Sequence, residues 1–266
     1  KGEVWSFSIE SQVYPIEHVI ATSDATSDAD CGPAKTVDGS GLDASNLHST
    51  LNTDMWAGTA DGNEPVSIQY EFDSVYKLHE LWVWNYNLSY ENTFGFGFKD
   101  VAIEYSADGT EWATLGDFQF AQGTGKANYT ANTVVDFNGA AARYVRLTAK
   151  SGYGATGTYG LSEVRFYHVP VLAREAQPET GAVDVSVDAV LDWRAGREAV
   201  SHQVYLGTDA NDLALAATVT ASTYDPGALD LDTEYFWQIV EVNEAEMPTA
   251  WASDVWNFTT QQSLLV

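Results

Sequence analysis

Short blocks of alternating apolar and polar residues, separated by turn residues, constrain the fold of this chain more than any other feature. "VSIQYEF" (66–72), "LHELWVWN" (78–85) and "RYVRLTA" (143–149) each alternate with period two, as strands do when successive side chains point to opposite faces. In "SADGTEW" (106–112), Asp-Gly separates two such blocks, and glycine accepts the positive φ of a tight hairpin turn. No window carries a long helical stripe. The pattern predicts an all-β protein made of sandwiches or barrels.

The alternation is interrupted once, by "VPVLAREAQPETGAVDV" (169–185). Its two prolines, Pro170 and Pro178, cannot donate strand hydrogen bonds. We therefore expect a larger domain over residues 11–169 and a smaller one over 170–266. The second set of strands has the size and rhythm of an immunoglobulin-like sandwich.

The beginning of the chain repeats its last strand. "VWSFS" (4–8) and "VWNFT" (255–259) share a pattern, and each follows an acidic residue. We interpret residues 1–10 as the remnant last strand of a preceding module, which predicts a longer parent protein with neighbouring modules of the same kind. Chance similarity between two Trp-rich strands is the alternative.

Charge limits the possible partners. The 266 residues include 38 acidic and 12 basic residues, a net charge of −26. This field repels phosphate backbones and anionic membrane surfaces, so we expect neither nucleic-acid binding nor membrane insertion. Cys31 is the only cysteine, which excludes an internal disulfide and fits either a reduced compartment or a bacterial secreted protein.

No motif indicates catalysis. The sequence has no nucleophile elbow, no His-Glu-x-x-His and no phosphate-binding glycine loop. Acidic residues are so frequent that a pair of them in the sequence is no sign of a glycosidase acid–base pair. We expect a protein that is not an enzyme.

The C-terminal region, residues 188–260, resembles a fibronectin type III-like domain of the bacterial extracellular kind. Tyr235 stands at the start of a long strand, where a tyrosine corner would bond back to upstream backbone. Trp193 and Trp237 are the expected core anchors of this domain.

The larger domain resembles the discoidin family, also called coagulation factor V/VIII C-type, which includes family-32-like carbohydrate-binding modules. The resemblance rests on the order and spacing of "KTVDGSGLD" (35–43), "DMW" (54–56), "VAIEYSADGTEW" (101–112), "ARYVRLTA" (142–149) and "GLSEVRFY" (160–167). It implies a jelly-roll β-sandwich with ligand-binding loops at one end. The fold class expected for the chain is therefore a discoidin-type sandwich followed by an immunoglobulin/fibronectin III-like sandwich.

The resemblance also implies a structural calcium at the Asp-Gly loop. Asp38 and Glu163 match the family's carboxylates, and Asp43 and Thr50 offer further oxygens of the kind that calcium prefers. The loop from Gly39 to Met55 is longer than the usual family version. The alternative is a plain Asx turn in which Asp38 caps its own backbone.

For a sugar, the resemblance points to three loops, of which "WNYNLSYENTFGFGFKD" (84–100) is the richest in aromatic and amide groups. Asn85 or Asn87 matches the family's asparagine, but no arginine accompanies it, which disfavours galactose specifically. Trp56 is also a candidate core residue, and Phe96 and Phe98 are candidates for burial. The predicted ligand-binding residues are His48, Trp56, Asn85, Tyr86, Asn87, Tyr90, Lys99, Tyr153 and Tyr159.

The function implied is a non-catalytic module that binds a polysaccharide or other glycan. The fibronectin-like domain would be a spacer, and both would belong to a larger secreted, multimodular protein located outside the cell or at its surface. The signal peptide of that protein would lie outside this fragment. The alternatives are a protein-interaction or adhesion module, and a structural accessory domain of a carbohydrate-active enzyme.

Overall fold

The computed structural model describes residues 11–62 and 65–263. The chain divides into two compact units, the first ending at Val169 and the second beginning at Pro170. The strand predicted within residues 1–10 lies outside the described residues. Within the described part of the chain, no helix has the length and apolarity needed to span a membrane.

The first unit is built from antiparallel strands. They are β1 (Tyr14–Pro15), β2 (Val19–Thr22), β3 (Trp56–Thr59), β4 (Ser67–Asn85), β5 (Phe98–Ser106), β6 (Ala113–Gln119), β7 (Thr133–Asp136), β8 (Ala141–Gly152) and β9 (Thr158–Val169). Short helical turns lie in the connections: 3-10 turns at Pro33–Thr36 and Asn52–Asp54, and α1 (Glu91–Phe94).

Strand β4 belongs to both layers of this unit. Its first part, Ser67 to Glu71, pairs with β8 and β2, and β8 continues the layer to β5 and β6. Its second part, from Lys77 onward, pairs with β9 and β7, and β9 also pairs with β1 and β3. The two blocks predicted as separate strands are therefore one 19-residue strand. No glycine or proline separates them in sequence, and a register shift between Glu71 and Tyr76 takes the place of a turn.

The core lies between these layers. Ile68 and Tyr70 of the first part of β4 and Leu81 and Val83 of its second part are all fully buried in one cluster. The predicted hairpin between β5 and β6 is confirmed: Gly109 has a φ of +78°, and Asp108 Oδ1 accepts the N–H groups of Thr110 and Glu111 at 2.8 and 2.9 Å. The expected all-β fold is confirmed.

The second unit has its own strands. They are β10 (Arg174–Gln177), β11 (Ala182–Val185), β12 (Leu191–Arg194), β13 (Ser201–Gly207), β14 (Ala214–Val219), β15 (Thr223–Tyr224), β16 (Glu234–Val242), β17 (Ala250–Ala252) and β18 (Trp256–Thr260). Within residues 170–263 they form a three-stranded sheet and a six-stranded sheet. The strand order of the first is β10-β12-β15. The order of the second is β11-β18-β16-β13-β14, and β17 also pairs with β16.

The core of the second unit is aromatic. Trp193 on β12 and Trp237 on β16 are buried with their ring centroids 6.3 Å apart, which confirms both as core residues. Tyr235 bonds back to upstream backbone, because its hydroxyl accepts the Asp230 N–H at 3.0 Å. This bond is the one that the tyrosine-corner prediction requires.

Candidate functional site

Loops from four places in the sequence meet at one end of the first unit. They are residues 48–55, 86–97, 120–129 and 152–158, and the buried Asn87 side chain joins three of them. Its Nδ2 donates to the carbonyls of Ser49 at 3.0 Å and Lys126 at 2.9 Å, and its Oδ1 accepts the Gly125 N–H at 2.8 Å. Asn87 therefore holds the 48–55, 86–97 and 120–129 loops together.

The fourth loop joins through a contact between two glycines. The Gly154 N–H donates to the Gly95 carbonyl at 2.8 Å, and a Cβ on Gly154 would lie only 1.8 Å from the Phe94 carbonyl oxygen. Gly95 ends α1 with a φ of +65°, a conformation that L side chains rarely adopt. Backbone therefore packs directly on backbone where the 86–97 and 152–158 loops meet.

A buried carboxylate fixes the 91–97 turn from inside. Glu91 Oε1 accepts the Gly97 N–H at 3.0 Å and Oε2 accepts the Phe96 N–H at 3.1 Å. Gln122 adds a bond from its Nε2 to the Glu91 backbone carbonyl at 3.1 Å. Burial raises the pKa of Glu91, while the hydrogen bonds from Gly97 and Phe96 oppose that rise.

Above this turn, aromatic rings face solvent. Tyr90 is 66% exposed and Phe94 is 45% exposed. The two rings lie edge to face at 6.5 Å, and Phe94 stacks on the half-buried Phe96 at 5.6 Å with an interplanar angle of 5°. The exposed Asn92 amide donates to the Thr124 carbonyl at 3.4 Å. We call Tyr90, Asn92, Phe94 and Phe96 the rim cluster.

The two asparagines predicted to grip a sugar do not face solvent. Asn85 and Asn87 are fully buried. Asn85 Nδ2 donates to the carbonyls of Phe98 at 2.7 Å and Ala121 at 2.8 Å. Asn87 Nδ2 donates to loop carbonyls in the same way. Both amides satisfy loop backbone groups that would otherwise be buried without partners. This corrects the prediction that they contact a ligand.

Three further predicted residues are also structural. His48 is fully buried, its Nδ1 lies 3.0 Å from a backbone carbonyl, and burial lowers its pKa. Trp56 is a core residue whose Nε1 donates to Ser27 Oγ at 2.9 Å. Tyr86 is buried, and burial raises its pKa to about 12. Because their side chains are enclosed, the prediction that His48, Trp56 and Tyr86 contact a ligand is corrected as well.

Lys99, Tyr153 and Tyr159 are half-buried. The Tyr153 hydroxyl donates to the Phe120 carbonyl at 2.6 Å, and Lys99 Nζ lies 5.8 Å from the centre of the Tyr153 ring. Tyr159 packs against the hydrophobic core. Of the nine predicted ligand-binding residues, Tyr90 is thus the one with a largely exposed side chain.

Two of the predicted calcium ligands come together. Glu163 is buried and its Oε2 accepts the Gly39 N–H at 3.3 Å, next to Asp38, and both carboxylates line a cavity of about 270 Å³. Burial raises the pKa of Glu163 to about 8; Arg165 and the hydrogen bond from the Gly39 N–H oppose the rise, and Asp38 adds to it. Positive charge is already present here, because Lys35 Nζ lies 3.2 Å from Asp38 Oδ2 and Arg165 lines the same cavity. The carboxylate oxygens themselves are ligands of the kind that calcium prefers.

The other two predicted ligands do not complete a carboxylate cluster. Asp43 Oδ1 caps its own turn, accepting the N–H groups of Ser45 at 2.8 Å and Leu47 at 2.9 Å. Thr50 is half-buried. Among the described residues, no three His, Cys, Asp or Glu side chains gather as a metal site. Asp38 Oδ1 likewise accepts the Ser40 N–H at 2.9 Å, which is the Asx turn of the alternative interpretation. Of the four predicted calcium ligands, Asp38 and Glu163 are the two that lie at the same cavity.

Sequence reasoning missed the 120–129 loop. This loop contacts both Asn87 and Glu91, and the Tyr129 carbonyl accepts the His48 N–H at 2.8 Å. "AQGTGKANYT" (121–130) is rich in glycine and short polar residues, the composition of a turn that approaches other backbone closely. That composition was the available signal. Phe94, in the same loop as Tyr90, is the second exposed ring of the rim cluster and lies outside the nine predicted ligand-binding residues.

Comparisons with known proteins agree with this architecture. The family model described as "F5/8 type C domain" matches residues 19–164. Among curated proteins, none matches the chain.

Solved structures include three similar modules. A family 32 carbohydrate-binding module of Clostridium perfringens NanJ, in complex with galactose, is 12% identical, with a TM-score of 0.44 over 59% of this chain and 99% of that one. Another Clostridium perfringens family 32 module, in complex with GalNAc-β-1,3-galactose, is 16% identical, with a TM-score of 0.43 over 57% and 99%. An F5/8 type C domain from Bacteroides fragilis is 13% identical, with a TM-score of 0.45 over 60% and 99%.

The family match spans the two-layered unit from β2 to β9, including every loop that forms the rim. The chain belongs to the F5/8 type C, or discoidin-like, domain family.

Proposed function

We propose that the first unit is a non-catalytic glycan-binding module and that the rim cluster is its binding surface. The observation that carries the proposal is the exposure of Tyr90 and Phe94 on a turn that Glu91 holds from inside. An exposed aromatic face covers the C–H face of a pyranose, and the polar tips beside it bond to hydroxyl groups. Tyr90 and Asn92 supply such tips.

The exposed part of the rim cluster consists of three side chains, Tyr90, Asn92 and Phe94. Binding there would bury little area, and its polar contacts would replace bonds to water that are almost as favourable. We therefore expect weak binding at each site, strengthened by repetition of modules in the parent protein.

The proposed non-catalytic role is supported by the state of the buried carboxylates in the first unit. Glu91 bonds to the turn that it supports, and Glu163 bonds to the Asp-Gly loop. Neither faces the rim cluster as a free acid or base. Their positions support a structural role for both residues.

For the second unit we propose a fibronectin type III-like spacer. Its two sheets, its aromatic core and the bond from the Asp230 N–H to Tyr235 support this interpretation. The proposal includes a secreted, multimodular parent protein, located outside the cell or at its surface, in which such spacers separate binding modules.

We also propose that Asp38 and Glu163 hold a structural calcium. The proposal is supported by two carboxylates at one cavity, Asp38 paired with Lys35 at 3.2 Å and Glu163 bonded to the Gly39 N–H; backbone carbonyls of the Asp-Gly loop would be the natural further ligands. The bound ion would fix residues 38–43 against β9. Its role would be structural, at a place separate from the rim cluster.

The test is affinity gel electrophoresis of the full chain through neutral and sulfated polysaccharides. We expect the wild-type chain to be retarded by at least one of them, and Tyr90→Ala and Phe94→Ala each to lose that retardation while keeping the wild-type melting temperature. Ile20→Ala, which removes another exposed apolar side chain (62% exposed), is the matched control and should stay retarded. If both rim variants migrate like wild type in every gel, the rim is not the binding surface. Binding of proteins but no polysaccharide would favour the adhesion alternative.

A further inference from the structure

The outer face of the layer formed by β2, β4, β8 and β5 carries a groove that shares no residue with the rim cluster. Its volume is about 690 Å³, within the range of ligand-binding sites. Strands form its floor, and the segments around Asp24 and Asp61 form one wall. We call it the sheet groove.

The floor of the sheet groove is a row of polar side chains in direct cross-strand register. Thr22 pairs with Gln69, Gln69 with Arg146, and Arg146 with Glu104. All four residues line the groove. Directly paired residues have side chains about 5 Å apart, so amide, guanidinium and carboxylate groups lie next to one another along a straight line.

Arg146 is held in a fixed orientation. Its guanidinium carbon lies 3.9 Å from the centre of the Trp112 ring, one nitrogen donates to Gln69 Oε1 at 3.3 Å, and another lies 3.6 Å from Glu104 Oε2. A guanidinium carries five N–H donors, so two acceptors leave donors for a ligand. Trp112 is itself anchored by a bond from its Nε1 to the Gly109 carbonyl at 3.2 Å.

Charge selects the class of ligand. Among the described residues that line the groove, the carboxylates of Asp24, Asp61 and Glu104 outnumber the one cation, Arg146. An anionic ligand would meet net repulsion. Adjacent hydroxyl groups of a neutral sugar match the row, since they accept from guanidinium and amide N–H groups and donate to carboxylate and amide oxygens.

We propose that the sheet groove is a second binding site, for a neutral oligosaccharide segment. The choice of a sugar as ligand rests on the proposed glycan-binding function of this unit, while the position of the site does not. Two sites on one unit would let a single polysaccharide chain bind twice, and the second contact would be effectively intramolecular.

The test compares variants of the full chain in affinity gels containing galactomannan, xyloglucan or hydroxyethylcellulose as neutral probes. Thr22→Trp fills the groove from an exposed strand position without touching the core. Gln69→Ala removes one polar group of the floor. The control is Thr114→Trp, the same substitution at the far end of the same row. Thr114 pairs with Glu104 across the strands, but Thr114 itself does not line the groove.

We expect Thr22→Trp and Gln69→Ala to weaken binding to the retarding polysaccharide, Gln69→Ala by about fivefold to tenfold for a lost hydrogen bond. Thr114→Trp should bind like wild type, and thermal melting should show all three folded. If both groove variants are retarded as strongly as wild type, the proposal of a second site in the sheet groove is wrong, and the rim proposal is unaffected. If the groove variants lose retardation but Tyr90→Ala keeps it, the rim proposal is wrong instead. No retardation of the wild-type chain by any neutral gel overturns the groove proposal.

Discussion

The buried carboxylate of Glu91 accepts the backbone N–H of Gly97 at 3.0 Å and so ties the start of α1 to the strand that follows it. Both carboxylate oxygens accept backbone N–H groups. We expect Glu91→Gln to lower the free energy of unfolding by about 1–3 kcal/mol, because the new amide N–H₂ would face an N–H donor. Urea unfolding measures this, with the exposed Glu111→Gln as control. Wild-type stability in Glu91→Gln would show that the carboxylate does not hold the turn.

The contact between Gly154 and Gly95 predicts a second effect on the rim. Gly154→Ala places a Cβ 1.8 Å from the Phe94 carbonyl oxygen, so one loop must move away from the other. We expect a lower melting temperature and weaker polysaccharide retardation together. Gly32→Ala is the matched control, because nothing lies within 4 Å of the added Cβ and the φ of −74° suits alanine. Unchanged melting and retardation in Gly154→Ala would contradict the close packing of these loops.

In the second unit, the buried side chains of His202 and Glu241 are hydrogen-bonded, and Glu241 also accepts the Gly196 N–H at 2.8 Å. We expect His202→Ala to lower the free energy of unfolding by about 1–3 kcal/mol, because it removes the side-chain hydrogen-bond partner of the buried Glu241 carboxyl, which keeps the Gly196 N–H. Val200→Ala, at a 65% exposed position just before β13 and two residues from His202, should have little effect. Pulse-labelled hydrogen exchange of residues 234–242 during urea unfolding isolates this unit.

The same pair predicts a dependence on pH. Burial raises the pKa of Glu241 above its ordinary value of 4.5. The folded state then holds the proton more tightly than the unfolded state, so the contribution of this carboxyl to stability is complete below pH 4.5 and is lost as pH rises through the raised value. Glu241→Gln should remove this dependence of stability on pH. Urea unfolding is carried out at a series of pH values, and the exchange pulse that reports on it is applied at one fixed pH. An identical slope in wild type and variant would contradict the assignment to Glu241.

Calcium should stabilise the first unit through Asp38 and Glu163. We expect a higher melting temperature with calcium than with chelator, because a ligand that binds only the folded state stabilises it. The difference should grow with the calcium concentration. Glu163→Gln should abolish the difference, whereas Asp43→Asn should keep it, because Asp43 caps a turn elsewhere in the loop. Equal melting temperatures of the wild-type chain with calcium and with chelator would remove the calcium proposal.

Much of the fold could be predicted from local pattern. Alternation identified the strand segments that make up β4, and the Asp-Gly pair identified the β5–β6 turn. Both signals come from residues close in sequence, whose geometry depends on strand period and turn chemistry. The continuity of β4 was missed because a register shift replaces a turn with no distinctive residue.

The site was harder to predict because loop composition does not tell which way a polar side chain points. In the sequence, Asn85 and Asn87 have the features of ligand contacts. In the structure, both side chains point inward and donate hydrogen bonds to backbone carbonyls of segments more than ten residues away. Only the positions of those carbonyls decide the orientation. Tyr90 was predicted because tyrosine in a polar loop tolerates either environment, and here the ring is exposed.

Strand β4 passes from one layer of the first unit to the other, and this restricts how the sequence can change in length. Inserting one residue between Asp73 and Val75 would leave Ile68 and Tyr70 in place but turn Leu81 and Val83 from the core to the solvent, inverting the whole second half. The crossing point of this strand must therefore keep its residue count for both halves of the core to form.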